Sequence, residues 1–553
     1  MNAVQHTGFL RVPPFPGARP TTLAVRSHGN EAFRSVDADS LLSLVRELKV
    51  GGDYWARQPS LPDDPYTLVK IRDKSERSRI LADPPKTEGI VCWNDVPHPS
   101  ERTKGVSFIS GACDPWHLVR GAARVIVDAD DELALIAAIA GVPLTCIGQG
   151  AFAGSSNERS ELGQIFERLV VEGTSYRNPF TNEPLSAEAA IRLCGFWRKL
   201  IDSNREITGA VGFAFWKRPT VTALLWGGSN VNFISKRINA DVAGKIAVWK
   251  SRAPASALSE LERAGAKLIE VEDGFIRSAG LGADCVPPLS IVVDRLGVHF
   301  DPSRESELER LIEDAQFSDE ILERARLLRE LIVSSGVSKY GSSSATLPER
   351  IPGRRYVLVP GQVEDDRAVL SGGGEVAGNL DLLRRVRRDR PDAFILYKPH
   401  PDVEAGHRVG DVADRQCLEF ADEIVRDQPI SALISLADEV HVNTSLAGFE
   451  ALMREKPVTT HGVPFYAGWG LTRDLGPVPA RRSRTRKLDE LVAAVLLRYP
   501  RYLDPVTGLP CPPEILVRRL VEDGAESRQG VVVQMRRFQG RLKKKLAGLG
   551  VSR

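Results

Sequence analysis

An acidic turn follows an apolar run near the middle of the chain. The run KLIEV at 267–271 leads into Glu272, Asp273 and Gly274. Ligands of open α/β sheets bind beyond the carboxyl ends of strands, and glycine permits a sharp turn that leaves a carboxylate in the cleft. Because neighbouring strand residues point to opposite faces, we expect Asp273 to be the catalytic carboxylate and Glu272 to support it. Taken alone, such a turn is more typical of a surface salt bridge. Arg277 could pair with a substrate carboxylate through both guanidinium nitrogens.

A second group of polar residues ends the apolar run FILY at 394–397. Lys398 and His400 alternate there with two prolines, the second of which is Pro401. The prolines fix φ on both sides of the histidine and stiffen the turn. A cation and an imidazole at a strand end suit a phosphate or a leaving group. We therefore predict a donor-binding role for Lys398, His400 and Pro401, with a structural histidine as the alternative.

A third group opens a helix after the run EVHV at 439–442. Thr444 and Ser445 could simply cap that helix, or they could join its positive dipole end in holding a phosphate. Glu450 could reach a ribose diol or form a salt bridge. In VPGQVEDDRAV at 359–369, Gln362 follows another strand and is expected near the same cleft, although a solvated loop is equally consistent with the pattern.

Composition excludes several classes of protein. The 553 residues suffice for about three or four domains, and a net charge of +2 gives no argument for nucleic-acid binding. The seven cysteines are scattered without C-x-x-C, and no D-x-D or histidine cluster marks a metal site. We therefore expect neither a metal nor a cofactor. The N-terminus lacks the pattern of a signal peptide, and the apolar stretch 133–144 is too short for a span. The sequence predicts a cytoplasmic protein that is at most peripheral to a membrane.

Alternation of β-rich and helical runs becomes regular from about residue 210. It predicts parallel sheets covered on both faces, with strands that include ALLWG at 223–227. We place one unit at 210–350 and another at 351–490. Residues 1–40 are predicted to be a poorly ordered lead-in. Residues 491–553 are predicted to be a helical segment whose basic tail either is solvated or contacts an anionic membrane surface.

An internal repeat lies partly outside these two units. Residues 115–154 align with 429–468 at one offset, 429 − 115 = 314, with coinciding prolines and glycines. A further match joins YRNPFT at 176–181 to YLDPVT at 502–507. Matches of turn residues in the same order indicate duplication. Asp130 and Asp131 stand in place of Thr444 and Ser445 and would repel a phosphate, so 41–209 is interpreted as a truncated, degenerate copy without a nucleotide site.

Several long phrases together resemble a known family. They are EDGFIRSAGLG, VLVPGQVEDD, YKPHPDVEAGHRVG, VNTSLAGFEALMREKPVTTHGVPFYAGWG and YLDPVTGLPCPPE. In this order, over about 220–515, they are similar to the capsular polysaccharide β-Kdo transferases of the KpsC type. The resemblance implies a GT-B fold with two facing Rossmann-like units, preceded here by a partial, degenerate α/β module. Residues 210–350 would be the acceptor side and 351–490 the nucleotide side.

The same resemblance implies a CMP-Kdo donor and a lipid-linked oligosaccharide primer as acceptor. Action would be at the cytoplasmic face of the inner membrane, beside the capsule export machinery. The motifs are also similar to those of bacterial sialyltransferases, which implies that His400, Thr444 and Ser445 hold the CMP phosphate while Asp273 acts at the sugar. The family resemblance favours retention of configuration, although residue chemistry alone allows inversion. Two alternatives remain open: transfer of another CMP-ulosonate, and a non-catalytic partner of capsule assembly.

Overall fold

The computed structural model describes residues 8–26, 37–82, 89–94, 105–154, 159–172, 174–234, 244–276, 287–336, 350–406 and 408–525. Contacts divide the chain into two compact units. The first consists of Met1–Ile207, Leu225–Val231 and Val506–Gly508, and the second of Thr208–Leu224, Asn232–Pro505 and Leu509–Arg553. The basic tail, for which membrane contact was one prediction, lies outside the described residues.

Two sheets form the first unit. Its strands are β1 Ala24–Arg26, β2 Tyr66–Lys70, β3 Gly89–Asn94, β4 Val106–Ser110, β5 Ala122–Asp128, β6 Leu144–Ile147, β7 Thr174–Arg177 and β8 Pro184–Leu185. A parallel sheet has the order β4-β3-β2-β5-β6, and an antiparallel sheet has the order β1-β7-β8. The parallel sheet reverses its winding between β2 and β5, which is where α/β sheets open a crevice for ligands.

Helices cover these sheets. They are α1 Ala38–Leu48, α2 Lys74–Ala82, α3 Pro115–Arg120, α4 Glu132–Ala140, α5 Arg159–Phe166, a π-helical turn Glu167–Glu172 and α6 Ala187–Asn204. The apolar stretch at 133–144 is, as its length predicts, a buried helix that leads into a strand. None of the helices in the described ranges of the whole chain is long and apolar enough to cross a membrane.

The prediction of a poorly ordered lead-in at 1–40 is wrong for residues 8–26. Phe9, Leu10 and Phe15 are buried there. The ring of Phe15 lies edge-on to Trp226 with 5.0 Å between centroids. A large aromatic ring removes much apolar surface from water when it packs. These contacts therefore order a segment whose prolines and glycines suggested a flexible chain.

The second unit contains two larger sheets. Its strands are β9 Ile207–Val211, β10 Phe233–Ile234, β11 Lys245–Val248, β12 Lys267–Asp273, β13 Ser290–Asp294, β14 Tyr356–Pro360, β15 Phe394–Lys398, β16 Glu423–Ile424, β17 Glu439–Val442, β18 Val458–Thr460, β19 Arg473–Asp474, β20 Pro500–Leu503 and β21 Pro510–Cys511. The first sheet has the order β10-β9-β11-β12-β13-β20-β21 and the second has the order β16-β15-β14-β17-β18-β19.

Helices pack against both of these sheets. They are α7 Arg218–Leu224, α8 Ala255–Arg263, α9 Glu307–Asp314, α10 Asp319–Ser335, α11 Arg367–Gly372, α12 Asn379–Asp389, α13 Pro401–Glu404, α14 Asp414–Cys417, α15 Ile430–Leu436, α16 Leu446–Met453, α17 Leu488–Val492, a π-helical turn Ala493–Arg498 and α18 Pro513–Ala525. The core beneath β14 and β15 is built from aliphatic residues of both strands and of α12.

Three predictions about these elements are corrected. The six-stranded sheet is parallel throughout, but β13, β20 and β21 are antiparallel additions to the other sheet. The run predicted as a strand at 223–227 instead contains the last two residues of helix α7 and a following turn, because a short apolar run does not by itself specify a strand. The segment 491–553 is not only helical, since β20 and β21 extend the sheet of the preceding unit.

The duplication predicted from the sequence is confirmed by the positions of the elements. Adding 314 to the first residues of α4 and β6 gives those of α16 and β18, since 132 + 314 = 446 and 144 + 314 = 458. Adding 326 to the bounds of the first π-helical turn gives those of the second, since 167 + 326 = 493 and 172 + 326 = 498. Even a hydrogen bond recurs: the hydroxyl of Tyr176 donates to the carbonyl of Val170 over 2.7 Å, and that of Tyr502 donates to Leu496 over 2.9 Å.

Candidate active site

The acidic end of β12 is held by basic residues from distant segments. Glu270 and Glu272 both bind Arg367, at the start of α11, over 3.2 Å and 2.7 Å respectively. Glu270 is also paired with Lys250 and Arg304. Arg367 therefore joins the acidic strand of one sheet to a helix that follows a strand of the other sheet.

Asp273 has a different environment from Glu272. Its carboxylate lies 3.1 Å from the ammonium of Lys217, which in turn lies 3.2 Å from the centroid of the Trp249 ring. The strand extends through Asp273, so its side chain and that of Glu272 leave opposite faces of the backbone. Asp273 retains 27% of its side-chain exposure and Glu272 only 15%. The more accessible carboxylate is thus the one predicted to react.

Gly274 is required here for a reason other than the one predicted. The residue does not have a positive φ, so a left-handed turn does not explain it. Instead, a Cβ at this position would lie 2.8 Å from the Cβ of Ser290 on the neighbouring strand. Gly274 N–H donates to the carbonyl of Ser290 over 3.0 Å. Glycine lets β12 and β13 approach closely just beyond the acidic pair.

Burial perturbs the acid–base chemistry of Glu272. Its low exposure raises the pKa to about 7, with Arg367 opposing this shift and the neighbouring charge of Asp273 adding to it. A carboxyl group with a pKa near neutrality exchanges protons readily at physiological pH. Perturbed groups of this kind are concentrated at functional sites. The end of β12 therefore offers two carboxyl groups in different environments.

Three strand ends meet at the carboxyl edge of the six-stranded sheet. Strand β14 lies between β15 and β17, with Pro360 paired to Lys398. The N–H of Gly361 donates to the carbonyl of Lys398 over 2.8 Å. The predicted donor-binding residues follow these strands, so the fold brings them to one edge. They are Gln362, Lys398, His400, Pro401, Thr444 and Ser445.

Gln362 and Thr444 are linked by two hydrogen bonds. The side-chain amide of Gln362 donates to the Thr444 hydroxyl over 2.9 Å and accepts from the Thr444 N–H over 2.9 Å. The backbone N–H of Gln362 donates to Asn379 over 2.9 Å. A hydroxyl that accepts one bond still carries a proton to donate. Thr444 is thus held in a fixed position with its hydroxyl proton available to a phosphate.

The structural roles of Ser445 and His400 are those of helix caps. The hydroxyl of Ser445 accepts from the N–H of Ala447 over 3.2 Å and caps α16. The Nδ1 atom of His400 accepts from the N–H of Asp402 over 3.1 Å. In a neutral ring this places the proton on Nε2. Capping therefore fixes the tautomer that can donate a hydrogen bond to an anion.

Lys398 and Glu450 are more enclosed than their neighbours. Lys398 is buried, donates to the carbonyl of Arg426, and has a pKa lowered by burial. Glu450 is buried on α16 beside Arg454. Its proposed contact with a ribose stays a prediction. Arg277 lies outside the described residues.

Sequence reasoning missed Lys217 and Arg367. Lys217 follows the end of β9 and Arg367 directly follows the acidic run EDD at 364–366. A basic residue just beyond a strand was a signal in both cases, but no pattern indicated which carboxylate each would meet. The exposed Asp365, in the same loop as Gln362, pairs with Arg408 over 3.1 Å. Within the described ranges, no three His, Cys, Asp or Glu residues are grouped so as to hold a metal.

The fold and the convergence of strand ends define the class. Two α/β sheets, one wholly parallel, carry polar residues at their strand ends and are bridged by Arg367, as in a GT-B type architecture. Residues 245–502 match the family described as "Capsule polysaccharide biosynthesis protein". The solved structure of Thermosulfurimonas dismutans KpsC, β Kdo 2,4 transferase, is 30% identical with a TM-score of 0.50, over 57% of this chain and 98% of that chain. The chain belongs to the KpsC-like capsule polysaccharide family.

Two curated relatives extend this similarity. The capsule polysaccharide modification protein LipA of Neisseria meningitidis serogroup B is 36% identical over 401 residues, 68% of this chain and 56% of LipA. The lipopolysaccharide-processing protein LpsZ of Rhizobium meliloti is 45% identical over 239 residues, 42% of this chain and 54% of LpsZ. The chain thus spans about half the length of the curated relatives it matches.

Proposed function

We propose that this chain is a glycosyltransferase that moves Kdo from CMP-Kdo to a lipid-linked oligosaccharide primer of capsular polysaccharide. The observation that carries the proposal is the bridge made by Arg367. It ties the acidic end of β12 to the segment bearing Gln362, which in turn holds Thr444. A carboxylate pair for sugar chemistry is thereby connected to a phosphate-type site. The similarity to a β Kdo transferase supports the choice of sugar.

The first step is displacement of CMP. A carboxylate oxygen of Asp273 attacks the anomeric carbon of Kdo, and the bond from that carbon to the phosphate oxygen breaks. CMP leaves with the bonding electron pair, and an ester joins the sugar to Asp273. His400, Thr444 and Ser445 donate hydrogen bonds to the phosphate as its charge grows. Before the attack, the ammonium of Lys217, 3.1 Å away, balances the negative charge of the Asp273 carboxylate.

The second step regenerates the enzyme. A hydroxyl of the primer attacks the same carbon from the opposite side, and the ester bond to Asp273 breaks, so two inversions retain the configuration. The hydroxyl proton passes to a base. Glu272, the preceding residue, has a pKa raised to about 7 and would take it near neutral pH. Arg277 would bind the Kdo carboxylate.

The acceptor sets the cellular context of the proposal. A lipid-linked primer lies at a membrane, so the chain would work at the cytoplasmic face of the inner membrane, as a peripheral protein beside the capsule export machinery. The described helices contain no span, and binding at the membrane surface would therefore rest on the acceptor lipid or on basic segments.

The direct test is a transfer assay with CMP-Kdo and a synthetic Kdo-primed lipid, comparing wild type with Asp273→Asn. We expect the wild type to release CMP and extend the primer, and the variant to lose activity by about a thousand-fold or more. With the primer withheld, intact mass should show a Kdo adduct on the wild type. Asp365→Asn is the matched control, since Asp365 is an exposed carboxylate paired with Arg408, and it should keep full activity.

Each negative result has a distinct meaning. Absence of both transfer and CMP release in the wild type contradicts the proposed function. Full activity of Asp273→Asn contradicts the assigned nucleophile and leaves the transferase intact. A third reaction with CMP-sialic acid tests the alternative donor. Faster turnover of CMP-sialic acid than of CMP-Kdo would show that Kdo is not the preferred sugar.

A further inference from the structure

A cavity of about 300 Å³ opens in the first unit, and its lining residues are different from those of the site described above. Its wall is formed by residues at the carboxyl ends of β2, β3 and β4 and at the start of α4, together with Asp53. The strands β2 and β5 flank the point where the winding of this sheet reverses. Ligands of α/β proteins bind in that crevice, and the volume is at the lower end of the range for small-molecule sites.

The charged groups around the cavity neutralise one another. Arg11 pairs with Asp53 over 2.8 Å and also with Glu132. Lys70 pairs with Asp131 over 3.0 Å. A charged ligand would have to break one of these pairs, whereas each carboxylate keeps lone pairs that can accept from a hydroxyl. The wall thus favours a neutral ligand with several hydroxyl groups.

Lys70 and Trp93 supply the remaining chemistry of the wall. The ammonium of Lys70 lies 4.2 Å from the centroid of the Trp93 ring. The indole N–H of Trp93 donates to the carbonyl of Gly111 over 2.9 Å and fixes the ring. The wall therefore offers an apolar surface, the fixed aromatic ring, and hydrogen-bonding groups, the carboxylates and the ammonium group. A sugar ring also combines an apolar face with hydrogen-bonding hydroxyl groups.

The duplicated site in the second unit shows why a nucleotide does not fit here. Asp131 occupies the position of Ser445, since 131 + 314 = 445, and it caps α4 by accepting from the N–H of Leu133 over 2.9 Å. Its carboxylate therefore places a negative charge at the helix N-terminus that would otherwise attract a phosphate. The change from hydroxyl to carboxylate repels a phosphate and leaves a polar cavity.

We propose that this cavity binds a neutral sugar residue of the capsule glycan. The carboxylates of Asp53 and Glu132 accept hydrogen bonds from its hydroxyls, Lys70 donates to a ring or hydroxyl oxygen, and Trp93 contacts the apolar face. Naming the capsule glycan as the source of the sugar rests on the proposed function in capsule synthesis. Binding of a neutral sugar does not depend on it.

The test is saturation-transfer NMR on the full chain with methyl glycosides of glucose, galactose and N-acetylglucosamine, without any CMP-sugar. We expect transfer to the ring protons of at least one glycoside. Ala112→Trp fills the cavity mouth without removing a polar group and should weaken binding at least ten-fold. Ala480→Trp, at an exposed alanine of the second unit, is the matched control and should leave binding unchanged. Both variants are first checked for an unaltered melting temperature.

Three results would overturn the proposal. The first is the absence of saturation transfer to any neutral glycoside. The second is saturation transfer that Ala112→Trp leaves unchanged. The third is loss of the sugar signal when CMP or inorganic phosphate is added. Asp53→Asn, which keeps the side-chain volume, gives a second variant if Ala112→Trp unfolds, and it should also weaken binding. An oligosaccharide of capsule repeat units that binds more tightly than the methyl glycosides supports the glycan as the source, whereas equal affinity supports a free sugar. The assay contains no donor, so its failure leaves the transferase proposal untouched.

Discussion

Two acidic residues on one face of β12 share a single arginine but differ in how well their charge is balanced. Glu270 meets Lys250, Arg304 and Arg367, whereas Glu272 meets Arg367 alone among the ion pairs described. Burial without sufficient positive charge favours the neutral form of a carboxyl group. This imbalance accounts for the pKa of Glu272, which burial raises to about 7.

Glu272→Gln should stabilise the protein at pH 8 more than at pH 5. A carboxyl pKa raised in the folded state contributes stability that is complete below about 4.5 and is lost as pH rises through about 7. Above that range the buried negative charge lowers the free energy of unfolding by about 3 kcal/mol at most, and glutamine removes that charge. The measurement is the melting temperature of wild type and variant at both pH values.

The control for this experiment is Asp365→Asn. Asp365 is half exposed and paired with Arg408, so the same chemical change in an exposed carboxylate should shift the melting temperature by equal, small amounts at pH 5 and pH 8. An identical shift of Glu272→Gln at the two pH values would contradict the account of its burial.

Residue types near Asp273 were readable from the sequence, but its partners were not. The carboxylates and the glycine stand together in the chain. Lys217 precedes Asp273 by 56 residues and Arg367 follows Glu272 by 95. Only the packing of α7 and α11 brings these cations to β12. Ion pairs between distant segments leave no local pattern, which is why the predicted site lacked its positive charges.

At the level of elements, the close approach of β12 to β13 depends on one missing side chain. Gly274→Ala would push a Cβ against Ser290, which is fully buried and donates to the carbonyl of Ile276. Overpacking of this kind costs about 1–3 kcal/mol. We expect a lower melting temperature and a shifted acidic strand end. Thermal unfolding and the transfer assay measure the two effects.

Gly163→Ala is the matched control for that substitution. It lies on α5 with nothing within 4 Å of the added Cβ. Alanine is favoured over glycine in helices by about 1 kcal/mol, so this variant should be at least as stable as the wild type. Equal stability of Gly274→Ala and Gly163→Ala would contradict this account, because it would show that β13 accommodates the added Cβ without loss of stability.

The periodic elements were predictable and the exceptions have physical causes. Helices α8 and α12 and the buried strands β14 and β15 agree with their apolar patterns. The strand predicted at 223–227 failed because a run of four apolar residues and a glycine does not distinguish a strand from the end of a helix. Strand direction failed at β13, since both orientations bury the same side chains and hydrogen-bond pairing decides between them. Strand β20 lies in a segment that was predicted to be helical.

For the whole molecule, duplication produced two similar sheets with different chemistry at their edges. The caps of α4 and α16 occupy the same position, yet one is the carboxylate of Asp131 and the other the hydroxyl of Ser445. The side chain at this one position thus determines whether the helix N-terminus carries its own anion. The sequence already showed this contrast, and the structure adds that both residues cap in the same way.

This contrast predicts one CMP for each chain, bound in the second unit. The combined change Thr444→Asp and Ser445→Asp copies the first unit into the second and should abolish CMP binding, because it puts two negative charges beside the phosphate. Calorimetric titration measures both the stoichiometry and the loss. Asp130→Asn and Asp131→Asn remove the same charges from the first unit and serve as the matched control, which should still bind one CMP. Two molecules of CMP per wild-type chain would contradict the assignment of the first unit as free of nucleotide, whereas undiminished binding in the Thr444 and Ser445 variant would place the phosphate elsewhere.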